Sequence, residues 1–390
     1  MRKIIKRGGF QVNTSKTGRD RPTKKMTSRA APGFLILGAF LLVLFSSDIA
    51  IEYMKKGLIL CSRAVIPALF PFMVMSELIV SSGVGIKVSK LFARPMRYLF
   101  GVSEAGACAY ILGLVCGFPI GAKTAVSMYD QGCITKNELV GLMTFCNNPG
   151  SAFVISAVGV ALLGNKTVGF ALYISVILSS LTVGLVGKYF LGYKKESSPR
   201  GSVFIPRDLN AKIVTDAVQS SALSMLTVCA YVVFFSALVG CVGSLLSRFE
   251  MPPELTACIF GFFEISSGVG EAAALQNRVS SLLLCALFVG WSGLSVAFQI
   301  MSVSSGRGIS FKPFFIAKAA QGLLCAFFMG IFIKTWLGDS IYDMSALPSY
   351  NDAGAIALCL PALCLCAILA LCLVLLLTRT KSLPKSRKKL

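Results

Sequence analysis

The chain has 390 residues, 55% of them hydrophobic and only 14% charged, and its mean hydropathy is +0.76. That excludes a soluble globular fold, because a core stops growing with size and polar residues must cover the outside. The net charge of +21 gathers at the ends, with ten Lys/Arg in the first 29 residues and six in the last 12; this is the pattern of topology signals and anionic-headgroup contacts, not of a nucleic-acid surface.

Residues 1–33 read as a basic cytoplasmic tail without packed structure, too long and polar to precede an ordinary signal peptide. Apolar runs able to cross a bilayer follow at 34–52, 57–83, 138–163, 167–191, 213–246, 280–304, 313–337 and 354–377. Two more, 103–131 and 255–276, are interrupted near the middle. The first carries Gly117-Phe118-Pro119-Ile120-Gly121 and the second Glu264-Ile265-Ser266-Ser267-Gly268. A basic linker at 192–212 divides the chain. A loop with Asp339, Asp343 and Asp352 reads as outside, and with the last transmembrane helix it fills 338–377. A second basic cytoplasmic tail occupies 378–390.

Loop charge decides what the two interrupted segments do. The loop with Lys87, Lys90, Arg94 and Arg97, the 192–212 linker, and the connection with Arg307 and Lys312 all belong inside. Ten full crossings would leave the linker outside, whereas two re-entrant hairpins bring every basic loop to the cytoplasm. The predicted fold is therefore an all-α polytopic membrane protein of about eight transmembrane helices plus two re-entrant hairpins. After a separate first transmembrane helix at 34–56, residues 57–191 run span, hairpin, interrupted span, span. Residues 213–337 repeat that order in the opposite orientation, an inverted repeat of the kind that builds secondary transporters.

The fourteen cysteines include no CxxC pair and there is no histidine, so the sequence implies no metal and no cofactor. It also carries neither a Walker P-loop nor a dinucleotide fingerprint, and the expectation is a protein that is not an enzyme. The candidates are polar residues at the helix breaks. Gly117, Gly121, Lys123 and Thr124 lie at the first, where free backbone N–H groups and a lysine suit a small organic anion. Asn147, Asn148 and Ser151 flank the Pro149-Gly150 break. The second half contributes Glu264, Ser266 and Ser267 on its hairpin, with Ser292, Ser295 and Gln299 on its interrupted span. Plainer roles stay open: Lys123 snorkelling to the interface, Glu264 pairing with Lys123 or Arg63, serines packing helices. Glu77 and Gln321 read as packed polar residues of the bundle.

In order along the chain stand Gly117-Phe118-Pro119-x-Gly121-Ala122-Lys123, Asn147-Asn148-Pro149-Gly150, Phe262-Phe263-Glu264-Ile265, Gly293-Leu294-Ser295-Val296 and Phe311-Lys312-Pro313-Phe314-Phe315. Together they resemble the YlbJ-type family of sporulation integral membrane proteins, which carries the nucleoside-recognition or Gate domain. The resemblance implies a role in endospore formation: carrying dipicolinic acid from the mother cell across the outer forespore membrane. Related Gate-domain proteins include concentrative nucleoside transporters, so transport of a nucleoside or another small organic solute is a second reading. A structural or assembly role in the spore envelope, without transport, is a third.

Overall fold

The computed structural model describes residues 27–190 and 210–338, and every regular element among them is helical. Helix α1 (Thr27–Phe45) begins inside the predicted tail, and α2 (Ser47–Leu60) leaves it at a bend of 96°. A π-helical turn, Cys61–Val65, carries α2 into α3 (Ile66–Ser81). The break between the first two predicted spans therefore falls at Ser46, earlier than expected. The charged stretch after residue 50 is helical, and on its exposed side Glu52 and Lys56, one turn apart, pair at 2.7 Å.

A second difference lies between the left-handed glycines Gly83 and Gly101. The basic loop expected there is a helix, α4 (Val84–Phe100), seated on the protein through Gly85, Ser89, Met96 and Phe100. Charge had marked this segment as cytoplasmic loop, while its burial stripe follows helical periodicity.

The first interrupted segment is a pair of short helices, α5 (Glu104–Cys116) and α6 (Ile120–Asp130). Ser103 caps α5 by accepting from the Gly106 amide at 3.2 Å. Thr135 caps α7 (Lys136–Phe145) through the Glu138 amide at 3.2 Å. The Glu138 carboxylate instead reaches back to the Ser103 amide at 2.7 Å and ties the two helix starts together. The expected span at 138–163 is discontinuous: α7 stops at Phe145, and a π-helical segment, Ala152–Leu162, resumes beyond the break. Helix α8 (Lys166–Phe190) follows.

In the second half α9 (Ala211–Leu246) leads to a second short pair, α10 (Pro253–Phe263) and α11 (Ile265–Ala273). Then come α12 (Arg278–Trp291), α13 (Gly293–Val303) and α14 (Lys312–Thr335). In each half the two short helices fold back on one another at glycines. A Cβ on Gly121 would lie 3.1 Å from the Gly113 Cα, and one on Gly268 would strike Gly261. Residues so close in sequence meet this way only if the chain reverses between them.

Among the described residues four helical stretches are long and apolar enough to cross a membrane, Lys166–Tyr189, Ala211–Leu246, Arg278–Val303 and Lys312–Thr335. The number rises to six if the bent pairs α1–α2 and α4–α5 each count as one span. The protein is a multi-pass integral membrane protein. The predicted span at 354–377, the basic linker up to residue 209 and the carboxyl-terminal tail lie outside the described residues.

Candidate functional site

The first break forms because Pro149 has no N–H to continue the ladder and disfavours helical backbone at Asn148. The hairpin tip then packs directly on it. Gly117, with φ +87°, abuts the Gly150 backbone, and the Cys146 carbonyl oxygen sits against both Gly113 and Gly121. No side chain fits between these backbones. The second half repeats the contact: Gly293, at the α12–α13 break, lies against Glu264 and Ile265 at the tip of α10–α11. Trp291 fixes that contact by donating its indole N–H to the Phe262 carbonyl at 3.2 Å.

The carboxamides of the first break belong to a buried network. Lys318, fully buried on α14, donates to the Asn147 carbonyl and to Gln321 Oε1, each at 2.9 Å. Gln321 Nε2 donates to Asn148 Oδ1 at 2.7 Å, and Asn148 Nδ2 donates to the Phe145 carbonyl at 2.8 Å. Asn147 Nδ2 reaches the Met143 carbonyl at 3.1 Å. The Asn147 carbonyl follows the carboxyl end of α7, the negative end of that helix, where a cation is favoured. Lys318 can approach because α14 packs on α12 at two glycines, Gly322 and Gly290.

Glu264 is buried and turned inward on its own helix. Its carboxylate accepts from the Ser266 amide at 3.0 Å, the Ser267 amide at 2.7 Å and the Ser267 hydroxyl at 2.9 Å. It thus caps the amino end of α11, where a negative charge is favoured; the pairing with Lys123 or Arg63 that the sequence left open is not formed.

A cavity of about 620 Å³ opens between α3, α6, α9 and α13. One face of α6 and its capping residue line it with Pro119, Lys123, Ser127 and Asp130, and one face of α9 with Ser220, Ser224 and Thr227. Both sets are spaced three or four residues apart, so each falls on one side of its helix. Glu77 and Ser81 of α3, Gln299 and Ser302 of α13, and Arg307 complete the polar wall. Two ion pairs stand in it. Lys123 Nζ lies 3.2 Å from Glu77 Oε2, largely shielded, and Arg307 Nε donates to Asp130 Oδ1 at 2.9 Å. Asp130 beside it raises the Arg307 guanidinium above its ordinary pKa.

The Arg307–Asp130 pair keeps 28% and 46% of its side chains exposed. Solvent-accessible pairs contribute little, so Asp130→Asn should lower stability by less than about 1 kcal/mol, as read from thermal unfolding in detergent.

Of the residues singled out from the sequence, Lys123 and Gln299 meet at the cavity. Ser295 stands behind Gln299, at 3.4 Å from its Nε2. Gly117 and Gly121 form backbone contacts, Thr124 is buried in the α6 packing, and Ser151 leads into the π-helical segment. Asn147 and Asn148 join the Lys318 network, away from the cavity wall. Glu264, Ser266 and Ser267 serve the α11 cap. Ser292 occupies a left-handed position at φ +74°, turning the chain from α12 into α13. The Met143 sulfur lies 3.8 Å from Asn147 Nδ2 and 3.9 Å from Ser304 Oγ, just past the end of α13. Sequence reasoning missed Lys318 and the α9 stripe. The signal for the stripe was available: Ser220, Ser224 and Thr227 recur at helical spacing inside an apolar span.

No protein-family model and no solved structure matches the chain. It is similar to the sporulation integral membrane protein YlbJ of Bacillus subtilis, 29% identical over 341 residues, which cover 77% of this chain and 83% of that protein. That extent of similarity supports membership of the YlbJ-type family of sporulation integral membrane proteins.

Proposed function

We propose that the protein is a carrier for a small organic dianion, dipicolinate, acting in the outer forespore membrane with both termini in the mother-cell cytoplasm. One observation carries this reading. The cavity joins a face of the first hairpin, with Lys123, to residues at the end of the second broken span, with Gln299, Ser302 and Arg307. Its volume falls in the range of small-molecule sites. Two cations reach it, and each is held by a carboxylate that a dicarboxylate substrate would replace.

The tip-to-break contact in each half supports a pair of inverted repeats, with eight spans and two re-entrant hairpins. Substrate would then sit where the repeats meet, and the glycine contacts would let each hairpin move as a unit with its broken helix. The polar stripe on α9 suits a path for a hydrated solute, since Ser224 and Thr227 satisfy themselves on their own helix, at 2.8 and 3.0 Å, until a solute arrives.

Purified protein in proteoliposomes should take up labelled dipicolinate. Lys123→Ala and Arg307→Ala should each reduce uptake about tenfold or more, the loss of one charge-assisted contact. Excess uridine should not compete. Absence of uptake by the unaltered protein would sink the carrier reading, and competition by uridine would redirect it to a nucleoside. Full uptake by both variants would remove the cavity from the pathway.

A further inference from the structure

We infer that α4 lies in the membrane interface and binds anionic phospholipid headgroups through Lys87, Lys90, Arg94 and Arg97. The helix has three faces. Gly85, Ser89, Met96 and Phe100 form the first, turned to the protein: a Cβ on Gly85 would meet the Cys108 sulfur, and the Ser89 hydroxyl donates to the Glu104 carbonyl at 2.8 Å. At 100° per residue, Lys87, Lys90, Arg94 and Arg97 form the second, all exposed. Val84, Leu91, Pro95 and Tyr98 form the third, and Leu91 and Tyr98 are each 80% exposed.

Neither water nor hydrocarbon alone suits such a helix. In water the third face would leave large apolar groups unburied, and in the bilayer core four cations would cost several kcal/mol each. The boundary between them satisfies both faces, the aromatic ring at headgroup level and the basic side chains toward phosphate. The bend agrees: the last part of α4, Arg94–Phe100, meets α5 at 93°, turning away from a hairpin arm that enters the protein. The helix carries no acid of its own. The nearest carboxylate, on Glu104, stands 3.8 Å from Arg97, so at least three cations face outward without a paired carboxylate among the described residues. Lys188 of α8 adds a further charge beside Tyr98, whose backbone carbonyl it holds. The ligand is thus the phosphodiester of an anionic lipid, recognised from several points along one helix face.

The test places a reporter on the third face. Full-length protein carrying Tyr98→Trp and Trp336→Phe is reconstituted in phosphatidylcholine vesicles with a minority of phosphatidylglycerol, one lipid at a time bearing brominated acyl chains. The introduced indole should be quenched by both lipids, and by phosphatidylglycerol about fivefold beyond its share of the bilayer, the weight of one basic side chain near an anionic surface. A second reporter, Phe327→Trp with Trp336→Phe, on the exposed side of α14, should show no such preference and separates α4 from the basic tails. Replacing Lys87, Lys90, Arg94 and Arg97 with glutamine should abolish the preference while quenching persists. If that variant does not fold, raised salt on the parent should have the same effect. Three results would overturn the proposal: no quenching by either lipid, a preference equal to the bulk share, or a preference that survives both charge removal and salt. Displacement by inorganic phosphate would also overturn it, in favour of a soluble anion.

Discussion

Gly121→Ala is expected to break the contact between the first hairpin and the α7 break. In a helix interior alanine is ordinarily favoured over glycine, by about 1 kcal/mol. Here the added methyl would enter the Cys146 carbonyl oxygen, and its next neighbour is the Gly113 backbone. Both obstacles are main chain, so neither can rotate aside. Relief requires α5, α6 or the break to shift, and forced overpacking costs about 1–3 kcal/mol or more, which outweighs the propensity gain. Thermal unfolding in detergent should show a clear loss, and dipicolinate uptake should fall with it. Gly270→Ala is the matched control. It lies on α11 with nothing within 4 Å of the new Cβ, so it should be neutral or slightly stabilising. Equal behaviour of the two variants would show that the close approach at Cys146 does not hold the hairpin.

Asn148→Ala should be comparably costly for a different reason. Asn148 Oδ1 is an acceptor for Gln321 Nε2, and Asn148 Nδ2 donates to the Phe145 carbonyl. All three residues are buried. Truncation leaves a buried donor and a buried acceptor without partners, and each such group costs about 1–3 kcal/mol, so a loss of about 2–4 kcal/mol is expected. The diagnostic measurement is a double-mutant cycle with Gln321→Leu. Removing both partners relieves the orphaned Gln321 amide, so the double variant should be more stable than the sum of the singles by about 0.5–3 kcal/mol. Strict additivity would mean that the two side chains do not act together. The cycle reads stability, so its outcome does not depend on what the protein carries.

Helix breaks were legible in sequence because their causes are local. Proline lacks an amide hydrogen, and glycine accepts φ +87° at position 117 or φ +79° at position 293. The paired helices on either side of Gly117 and Glu264 therefore appeared where the interruptions were read. The amphipathic α4 was legible as charge but not as helix, because its apolar residues divide between a protein face and an exposed face, which blurs a single stripe. The extension of α2 back to Ser47 was hidden for a similar reason: Glu52, Lys55 and Lys56 look like a loop until two of them pair along one side.

Site composition divides the same way. Lys123, at the amino end of α6, could be named from sequence as a cation in an apolar frame, and the cavity does contain it. Lys318 could not, since nothing in Phe315-Ile316-Ala317-Lys318 says whether that lysine snorkels outward or turns inward. The packing of Gly290 on Gly322 brings α14 close enough for it to meet the Asn147 carbonyl. Asn147 and Asn148, read as substrate ligands, are engaged by Lys318 and Gln321, while Glu264 is spent on its own helix cap.

By itself, then, the sequence determined the solvent of this protein and the positions of its breaks, because hydropathy and backbone chemistry act over a few residues. Only the tertiary structure decided which polar groups satisfy each other and which face open space. Hydrogen bonds and ion pairs join residues more than 170 positions apart, as at Asn148–Gln321 and Asp130–Arg307, and no local pattern carries such a distance.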